Sequence, residues 1–214
     1  MKTVGFLVVI FSIISFSQTS NPIEDGDSSH SIYENTGYPM HSIDLRITYW
    51  NNSKSGTSIR VPGVEIENGG MSGKIMYNYY YDQNYAITFG VGVMEVQVEA
   101  WALHEYTSTV APVMMGMKYY FNPSSKVVLF RPYVAGSIGI LIGSESSVRF
   151  MSVREHNESA IGGYAGIGSD IILGSLVKLH ADIGYNLFTD FPEEIGYRKN
   201  YSGAEFSMGL GFMF

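Results

Sequence analysis

Hydrophobic residues alternate with polar or small residues in eight separate segments of the chain, and this spacing constrains the fold more than any other feature. In the segment "EFSMGLGFMF", Phe206, Met208, Leu210, Phe212 and Phe214 share one parity. A period of two places such residues on one face of a β-strand. The segments that alternate in this way are 42–50, 73–81, 85–93, 113–121, 130–140, 164–172, 177–187 and 205–214. The sequence therefore predicts an all-β fold with eight strands.

The connections between these segments alternate in length. Hairpin turns account for the short connections, which lie at 82–84, 122–126 and 173–175. The long connections are polar and lie near 51–70, 99–109, 143–160 and 189–200. Short periplasmic turns at one end and longer external loops at the other are typical of a transmembrane barrel. We therefore predict an eight-stranded, antiparallel, up-and-down β-barrel.

The two faces of the predicted strands differ in polarity. One face is apolar or aromatic, and the other carries small residues and most of the charge. A soluble, lipocalin-like barrel would turn the apolar face inward, whereas a membrane barrel turns it outward. The polar face contains many small residues, and such residues fit the narrow interior of an eight-stranded barrel. This favours the membrane arrangement, in which the polar face turns inward. We predict a lumen charge network, with cations paired to carboxylates, formed by Asp44, Arg46, Lys118, Arg131, Asp170, Lys178, His180, Asp182 and Glu205.

Aromatic residues and one proline predict two local features of this barrel. An interfacial aromatic girdle is expected at the short-turn end, where the sequence places Tyr79, Tyr81, Tyr85, Tyr119 and Phe121. Pro132 lies inside the fifth segment and cannot donate a backbone hydrogen bond. A β-bulge or irregular pairing is therefore expected at that position.

The first residues have the pattern of a secretory signal. Lys2 precedes an apolar run from Val4 to Phe16, and Ser15 and Ser17 are the small residues expected before a cleavage site. The alternative is an anchoring helix, but the run is shorter than the roughly 20 residues needed to span a membrane. We predict a cleaved signal peptide (1–17), a polar N-terminal periplasmic segment (18–40) and an outer-membrane barrel (41–214).

Composition and motifs exclude several classes of function. The chain has no cysteine, which excludes disulfides, thiolate metal sites and cysteine nucleophiles. Its formal net charge of −7 argues against nucleic acid as a partner. No cofactor is predicted, because no helix is expected after the glycine-rich "GYAGIG". No metal site is predicted either, because the histidines outside the strands are scattered, at His30, His41, His104 and His156.

Three stretches carry a family resemblance: "FSMGLGFMF", "RPYVAGSIGI" and "GGYAGIGSDIILG". With the strand and turn rhythm over 41–214, they resemble the small eight-stranded outer-membrane barrels of Gram-negative bacteria, the OmpA-, OmpX- and OmpW-like superfamily. The resemblance implies a location in the cell outer membrane, with membrane lipid and the barrel-assembly machinery as partners. In that family the machinery reads an aromatic last residue that follows alternating apolar residues. The resemblance thus implies a barrel-insertion signal at Met208, Leu210, Phe212 and Phe214.

Three functions are compatible with such a barrel. We predict a non-enzymatic protein that is structural or binds an extracellular ligand through its external loops. The alternative, implied by resemblance to the OmpW-like branch, is a narrow channel for small hydrophobic molecules. The third is an enzyme, since some barrels of this size modify lipid A through a serine and a histidine.

The stretch "KLHAD" is the sharpest candidate for catalysis. It places His180 on the lumen face, where Ser137, Ser169 or Ser207 could complete a nucleophilic site. Residues that transfer acyl groups must meet a lipid chain, whereas His180 is expected in a charged lumen. The H-x-S-N arrangement of the lipid A deacylase family is also absent, because alanine follows His180 and Asp182 comes next. We therefore predict no catalytic residues.

Overall fold

The computed structural model describes residues 40–52, 69–97, 106–121, 130–149, 152–196 and 198–214. Its strands are β1 His41–Asn52, β2 Gly69–Tyr80, β3 Tyr85–Gln97, β4 Tyr106–Tyr120, β5 Phe130–Arg149, β6 Ser152–Ile172, β7 Val177–Phe188 and β8 Gly203–Met213. They form a closed barrel in chain order, and all neighbours are antiparallel. The predicted eight-stranded up-and-down barrel is confirmed.

Two predicted regions fall outside this description. The signal peptide (1–17) and the N-terminal segment (18–40) lie outside the described residues, apart from Met40. Among the residues that are described, there is no helix long and apolar enough to cross a membrane.

Strands β1 and β8 close the barrel. Leu45 pairs with Leu210, and Ile47 pairs with Met208. At the short-turn end the backbone N–H of His41 donates to the carbonyl of Phe214 (3.1 Å), and the N–H of Phe214 donates back (3.0 Å). Closure removes the free sheet edges, whose unpaired backbone groups would be costly in hydrocarbon.

The outer face of the barrel is apolar and the inner face is charged. Large hydrophobic side chains are exposed on all eight strands, whereas Asp44, Lys118, Asp170 and Lys178 are completely or almost completely buried. A soluble barrel has the opposite polarity, so the lipocalin-like alternative is excluded. The expected aromatic girdle is present at the short-turn end, and a second exposed group lies nearer the other end, at Tyr49, Tyr185 and Phe206.

One wall of the barrel is taller than the rest. Strands β5 and β6 have 20 and 21 residues, against 12 for β7. The pairing of β6 with β7 ends at Gly162 and Phe188, so residues 152–161 of β6 pair with β5 alone. At about 3.3 Å per residue this ribbon extends roughly 30 Å along the strands.

The ribbon corrects the expectation of a loop near 143–160. Most of that region is strand, because β5 and β6 continue their ladder above the end of β7, and β4 pairs with β5 as far as Ser147. The apolar alternation fades there while the pairing persists, since a ribbon beyond the apolar band no longer has one face in contact with lipid. Hydrophobic periodicity therefore marked the end of the apolar band and not the end of the strands.

The expectation of a bulge at Pro132 is also wrong. The register between β5 and β6 runs unbroken through Arg131–Asp170, Pro132–Ser169 and Tyr133–Gly168. The carbonyl of Pro132 accepts a hydrogen bond from the N–H of Phe121, just beyond the end of β4 (2.9 Å). The nitrogen and carbonyl of a strand residue face the same neighbouring strand. The missing donor therefore faces the end of the β4 ladder, where its absence costs little.

Candidate functional site

The nine charged residues predicted to form the lumen network all face the interior. They come from alternate positions on β1, β4, β5, β6, β7 and β8, and each is at most 7% exposed. Six of them form a closed ring of contacts. In order around this charge ring they are Asp44, Lys178, Asp170, His180, Asp182 and Arg46.

One side of the charge ring contains Lys178. Lys178 Nζ lies 3.0 Å from Asp44 Oδ1 and 3.0 Å from Asp170 Oδ2. It also donates a hydrogen bond to the hydroxyl of Tyr80 at 2.8 Å. All three donor positions of the ammonium group therefore have an acceptor, as a buried cation requires.

The opposite side of the charge ring contains His180. Its Nδ1 lies 3.0 Å from Asp170 Oδ1, and its Nε2 lies 3.0 Å from Asp182 Oδ2. Arg46 closes the ring through Asp44 (2.8 Å) and Asp182 (3.2 Å). Both nitrogens of the imidazole are thus occupied by carboxylates, and the hydroxyl of Tyr133 lies beside them.

Glycines on β8 provide the space for the charge ring. Strand β8 lies between β1 and β7, and Gly211 pairs with Asp44 on one side and with Lys178 on the other. Gly209 pairs in the same way with Arg46 and His180. A Cβ atom on Gly211 would lie 2.5 Å from Asp44 Oδ1. The charged side chains therefore meet across β8 because β8 presents no side chain there.

The remaining predicted network residues lie outside the charge ring. Lys118 Nζ lies 3.9 Å from Asp44 Oδ2 and 4.5 Å from the centre of the Tyr133 ring. Arg131 donates to the backbone carbonyl of Gln83 at 2.6 Å. Its guanidinium group also lies 4.2 Å from the centre of the Tyr120 ring.

The predicted pairing of Glu205 with a cation of the lumen network is wrong. Its carboxylate bonds to Lys74, which was not among the predicted network residues, and to Asn186. Glu205 lies four residues along β8 from Gly209, and its β1 neighbour is Trp50. It is therefore too far up the barrel to reach the cations of the charge ring, and it forms a separate ion pair.

Buried tyrosines fill the lumen near the short-turn end. Tyr80, Tyr120 and Tyr133 are at most 1% exposed. The ring of Tyr120 packs against that of Tyr80 on one side and that of Tyr133 on the other. The hydroxyl of Tyr120 donates to Asp170 Oδ2 at 2.8 Å. This tyrosine layer and the charge ring together fill the lower part of the lumen.

An apolar cap closes the mouth of the barrel. Its members are Trp50, Met94, Val110, Leu141, Ala160, Phe188, Phe191, Ile195 and Tyr201. The last three belong to residues 189–202, here called the cap loop. This loop corresponds to the long connection near 189–200 that was expected to be polar, but Phe191 and Ile195 are buried. The Tyr201 hydroxyl donates to the carbonyl of Ile195 (2.6 Å), and burial raises the pKa of the Tyr201 phenol.

A cavity of about 60 Å³ lies in the lumen, with lining residues from both the charge ring and the apolar cap. One side is apolar, with Met76, Met114 and Leu141, and another is polar, with Lys74 and Asp182. A few water molecules fit such a volume, and the charged lining gives them partners.

The serines considered for catalysis do not meet His180. No hydrogen bond among the described residues joins the imidazole to a serine. The hydroxyl of Ser207 lies 2.8 Å from that of Thr48 and donates to Glu205 at 3.3 Å. Ser169 has a long contact with the backbone carbonyl of Asp170 (3.5 Å). The carboxylates around His180 occupy the positions that a nucleophile would need.

The four residues of the implied insertion signal lie on the outer face of β8 and just beyond its end. Each is about half exposed: Met208, Leu210, Phe212 and Phe214. They lie in the apolar band, away from the charge ring. Their role in insertion stays a prediction.

A cluster at the mouth was missed by reasoning from sequence. His156 Nε2 lies 3.0 Å from Glu158 Oε1 and 3.3 Å from Glu193 Oε2. His156 and Glu158 are two residues apart on β6 and share a face, which the sequence could have indicated. Glu193 comes from the cap loop, 35 residues away from Glu158, and only the fold brings it near.

Known proteins resemble this chain in structure. No protein-family model and no curated protein matches the sequence. Ail, the attachment invasion locus protein of Yersinia pestis, has a TM-score of 0.53 at 12% identity, over 83% of this chain and 99% of Ail. Ail in complex with the heparin analogue sucrose octasulfate has a TM-score of 0.51 at 12% identity, over 81% and 99%.

The Neisserial surface protein A is a third similar structure. Its TM-score is 0.52 at 13% identity, and the match covers 81% of this chain and 97% of that protein. Identities this low establish the fold alone. The chain has the fold of the small eight-stranded outer-membrane barrels.

Proposed function

We propose that this protein is a non-enzymatic barrel of the outer membrane, with a closed lumen, which acts through its external end. The observation that carries the proposal is the packing of the lumen. The tyrosine layer, the charge ring and the apolar cap follow one another from the short turns to the mouth. The tall β5–β6 ribbon, in contrast, rises above the end of β7 at the mouth, and we expect a partner to bind there.

The outer surface supports the membrane location. Aliphatic residues such as Leu45, Ile138 and Ile167 are exposed between the two aromatic groups. Exposing such a band to water would be costly, whereas lipid tails accept it. The aromatic groups lie where tyrosine and phenylalanine are expected to meet the lipid headgroups.

The charge ring supports a closed lumen. Lys178 and Arg46 each contact two carboxylates of the ring within 3.2 Å, and His180 lies 3.0 Å from those of Asp170 and Asp182. A solute passing through would have to separate these pairs, and separating buried charges costs several kcal/mol. The lumen cavity favours the channel alternative, since it offers space for a small molecule.

The charge at the mouth bears on the class of ligand. Glu158 and Glu193 lie close together there beside His156. The cap loop also carries Arg198 and Lys199, and the chain as a whole has a net charge of −7. A polyanion such as the heparin analogue bound to Ail would be repelled by this surface. A neutral or cationic extracellular ligand suits it better.

Conductance in a planar lipid bilayer tests the closed lumen. The refolded protein, shown to migrate differently before and after boiling, is expected to insert without steady single-channel steps. Steps that change in size in Arg46→Ala would show an ion path through the charge ring. That result would replace the proposed function with the channel.

A further inference from the structure

We propose that the mouth of the barrel carries a binding site for a divalent transition-metal ion, formed by His156, Glu158 and Glu193. The site lies outside the lumen network and is independent of the closed lumen. It takes one nitrogen donor and two carboxylate oxygens, and Zn²⁺ is the ion that suits this set best.

The geometry of the three donors fits a single ion. The imidazole Nε2 lies 3.0 Å from Glu158 Oε1 and 3.3 Å from Glu193 Oε2, and the donor atoms all lie within 4.8 Å of one another. Ligands bound to one Zn²⁺ at about 2.1 Å each are roughly 3–3.5 Å apart. Small side-chain movements would therefore bring all three donors onto an ion.

Hydrogen bonding does not account for this cluster. A nitrogen of imidazole carries at most one hydrogen, yet His156 Nε2 is close to two carboxylates. The Nε2 atom is buried and has no hydrogen-bond partner of adequate geometry among the described residues. A cation placed between the donors would satisfy the nitrogen and both carboxylates together.

A further carboxylate increases the demand for a cation. Glu145 on β5 is the direct cross-strand partner of His156 on β6. Its Oε2 atom is buried, and it too has no hydrogen-bond partner among the residues that the structure describes. Three glutamates close to one imidazole concentrate negative charge at a partly buried position, and a bound cation would offset part of it.

The fold holds the donors in place. His156 and Glu158 lie on the same face of β6, whose ladder with β5 continues past them. Glu193 lies in the cap loop between two buried anchors, Phe191 and Ile195. The backbone N–H of Phe191 donates to the carbonyl of Lys199 (2.7 Å), and this bond joins the two ends of the segment that carries Glu193. A bound ion would join the cap loop to the tall wall.

The donor set selects the class of ion. Imidazole is a ligand of Zn²⁺, Cu²⁺ and Ni²⁺, whereas Ca²⁺ and Mg²⁺ prefer oxygen ligands and higher coordination numbers. One histidine with two carboxylates leaves at least one position of a tetrahedral zinc ion for water. The site is therefore expected to bind Zn²⁺ in preference to Ca²⁺.

Calorimetric titration of ZnCl₂ into the refolded protein without a histidine tag tests the site. The unaltered protein is expected to bind one Zn²⁺, and CaCl₂ is not expected to compete. His156→Ala and Glu193→Gln should each raise the Kd at least about tenfold, since even outer-sphere partners of a metal contribute that much. Glu194→Gln, which removes the same charge next to the site, is the matched control and should leave the Kd unchanged.

A second readout links binding to the cap loop. Zn²⁺ should slow tryptic cleavage after Arg198 and Lys199 in the unaltered protein and not in Glu193→Gln, whose mutated side chain is largely exposed and whose folding is therefore preserved. Absence of Zn²⁺ binding to the unaltered protein would overturn the proposal. Binding that survives in both His156→Ala and Glu193→Gln would overturn it as well.

Discussion

Asp44 and Lys178 meet across an intervening strand, with Oδ1 and Nζ 3.0 Å apart, because Gly211 of β8 places no side chain between them. Neither charged side chain is exposed. The contact links the first strand of the barrel to the seventh, on either side of the last. An ion pair inside the lumen thus helps to hold together the strands at which the barrel closes.

Gly211→Ala should destabilise the barrel by about 3 kcal/mol, because the added methyl group displaces one partner of a buried ion pair. The measurement is the free energy of unfolding in urea, followed by tryptophan fluorescence in lipid vesicles. The matched control is Gly73→Ala on the outer face of β2, where a Cβ atom would meet nothing within 4 Å.

Gly73→Ala should change the stability by no more than about 1 kcal/mol, and it can be stabilising, because alanine restricts the unfolded chain. Equal losses in the two variants would show that the effect arises from strand propensity. The Asp44–Lys178 contact would then be unnecessary for stability.

Asp170→Asn should cost roughly 3–5 kcal/mol, because Lys178 and His180 would each lose a buried carboxylate partner. Part of this loss should return in the double variant Asp170→Asn with Lys178→Met, which removes the uncompensated ammonium group. A double-mutant cycle on unfolding free energies measures the coupling. A coupling energy near zero would show that the two residues contribute independently, contrary to the contact seen in the charge ring.

Ile195→Ala should release the cap loop while the barrel stays folded. Ile195 is fully buried in the apolar cap, and losing such a side chain costs about 2–4 kcal/mol. Faster tryptic cleavage after Arg198 and Lys199, with unchanged heat-dependent migration on a gel, is the expected result. Leu187→Ala removes an aliphatic side chain that is 68% exposed, and it should not alter the cleavage.

Most of the barrel could be predicted from the sequence because the chemistry of a barrel wall repeats every two residues. Leu45 outside and Arg46 inside follow from their positions on one strand, whichever strands lie beside them. The tall β5–β6 ribbon could not be predicted in this way. Beyond the apolar band the two faces of a strand no longer differ in polarity, and this difference is what identifies a strand in the sequence.

Contacts between distant residues were less predictable for a related reason. The parity of Glu205 showed that it faces the lumen, but its pairing with Lys74 depends on the height of each residue in the closed barrel. The same holds for Ile195, which is apolar within an acidic stretch and is buried only because the cap loop folds into the mouth. Such contacts depend on the register between strands and on the position of the loops. Neither can be read from the alternation of residues within one strand.

Phe214→Ser should lower the amount of folded barrel in the outer membrane of cells severalfold, as the implied insertion signal requires. The refolded protein should lose no more than about 1 kcal/mol, because Phe214 is 55% exposed and its backbone bonds to His41 remain. Folded and unfolded forms are measured from unheated gels of membrane fractions. Phe206→Ser, on the same outer face but near the other end of β8, is the matched control. If both variants lower the yield equally, general loss of apolar surface explains the result, and Phe214 has no special role in assembly.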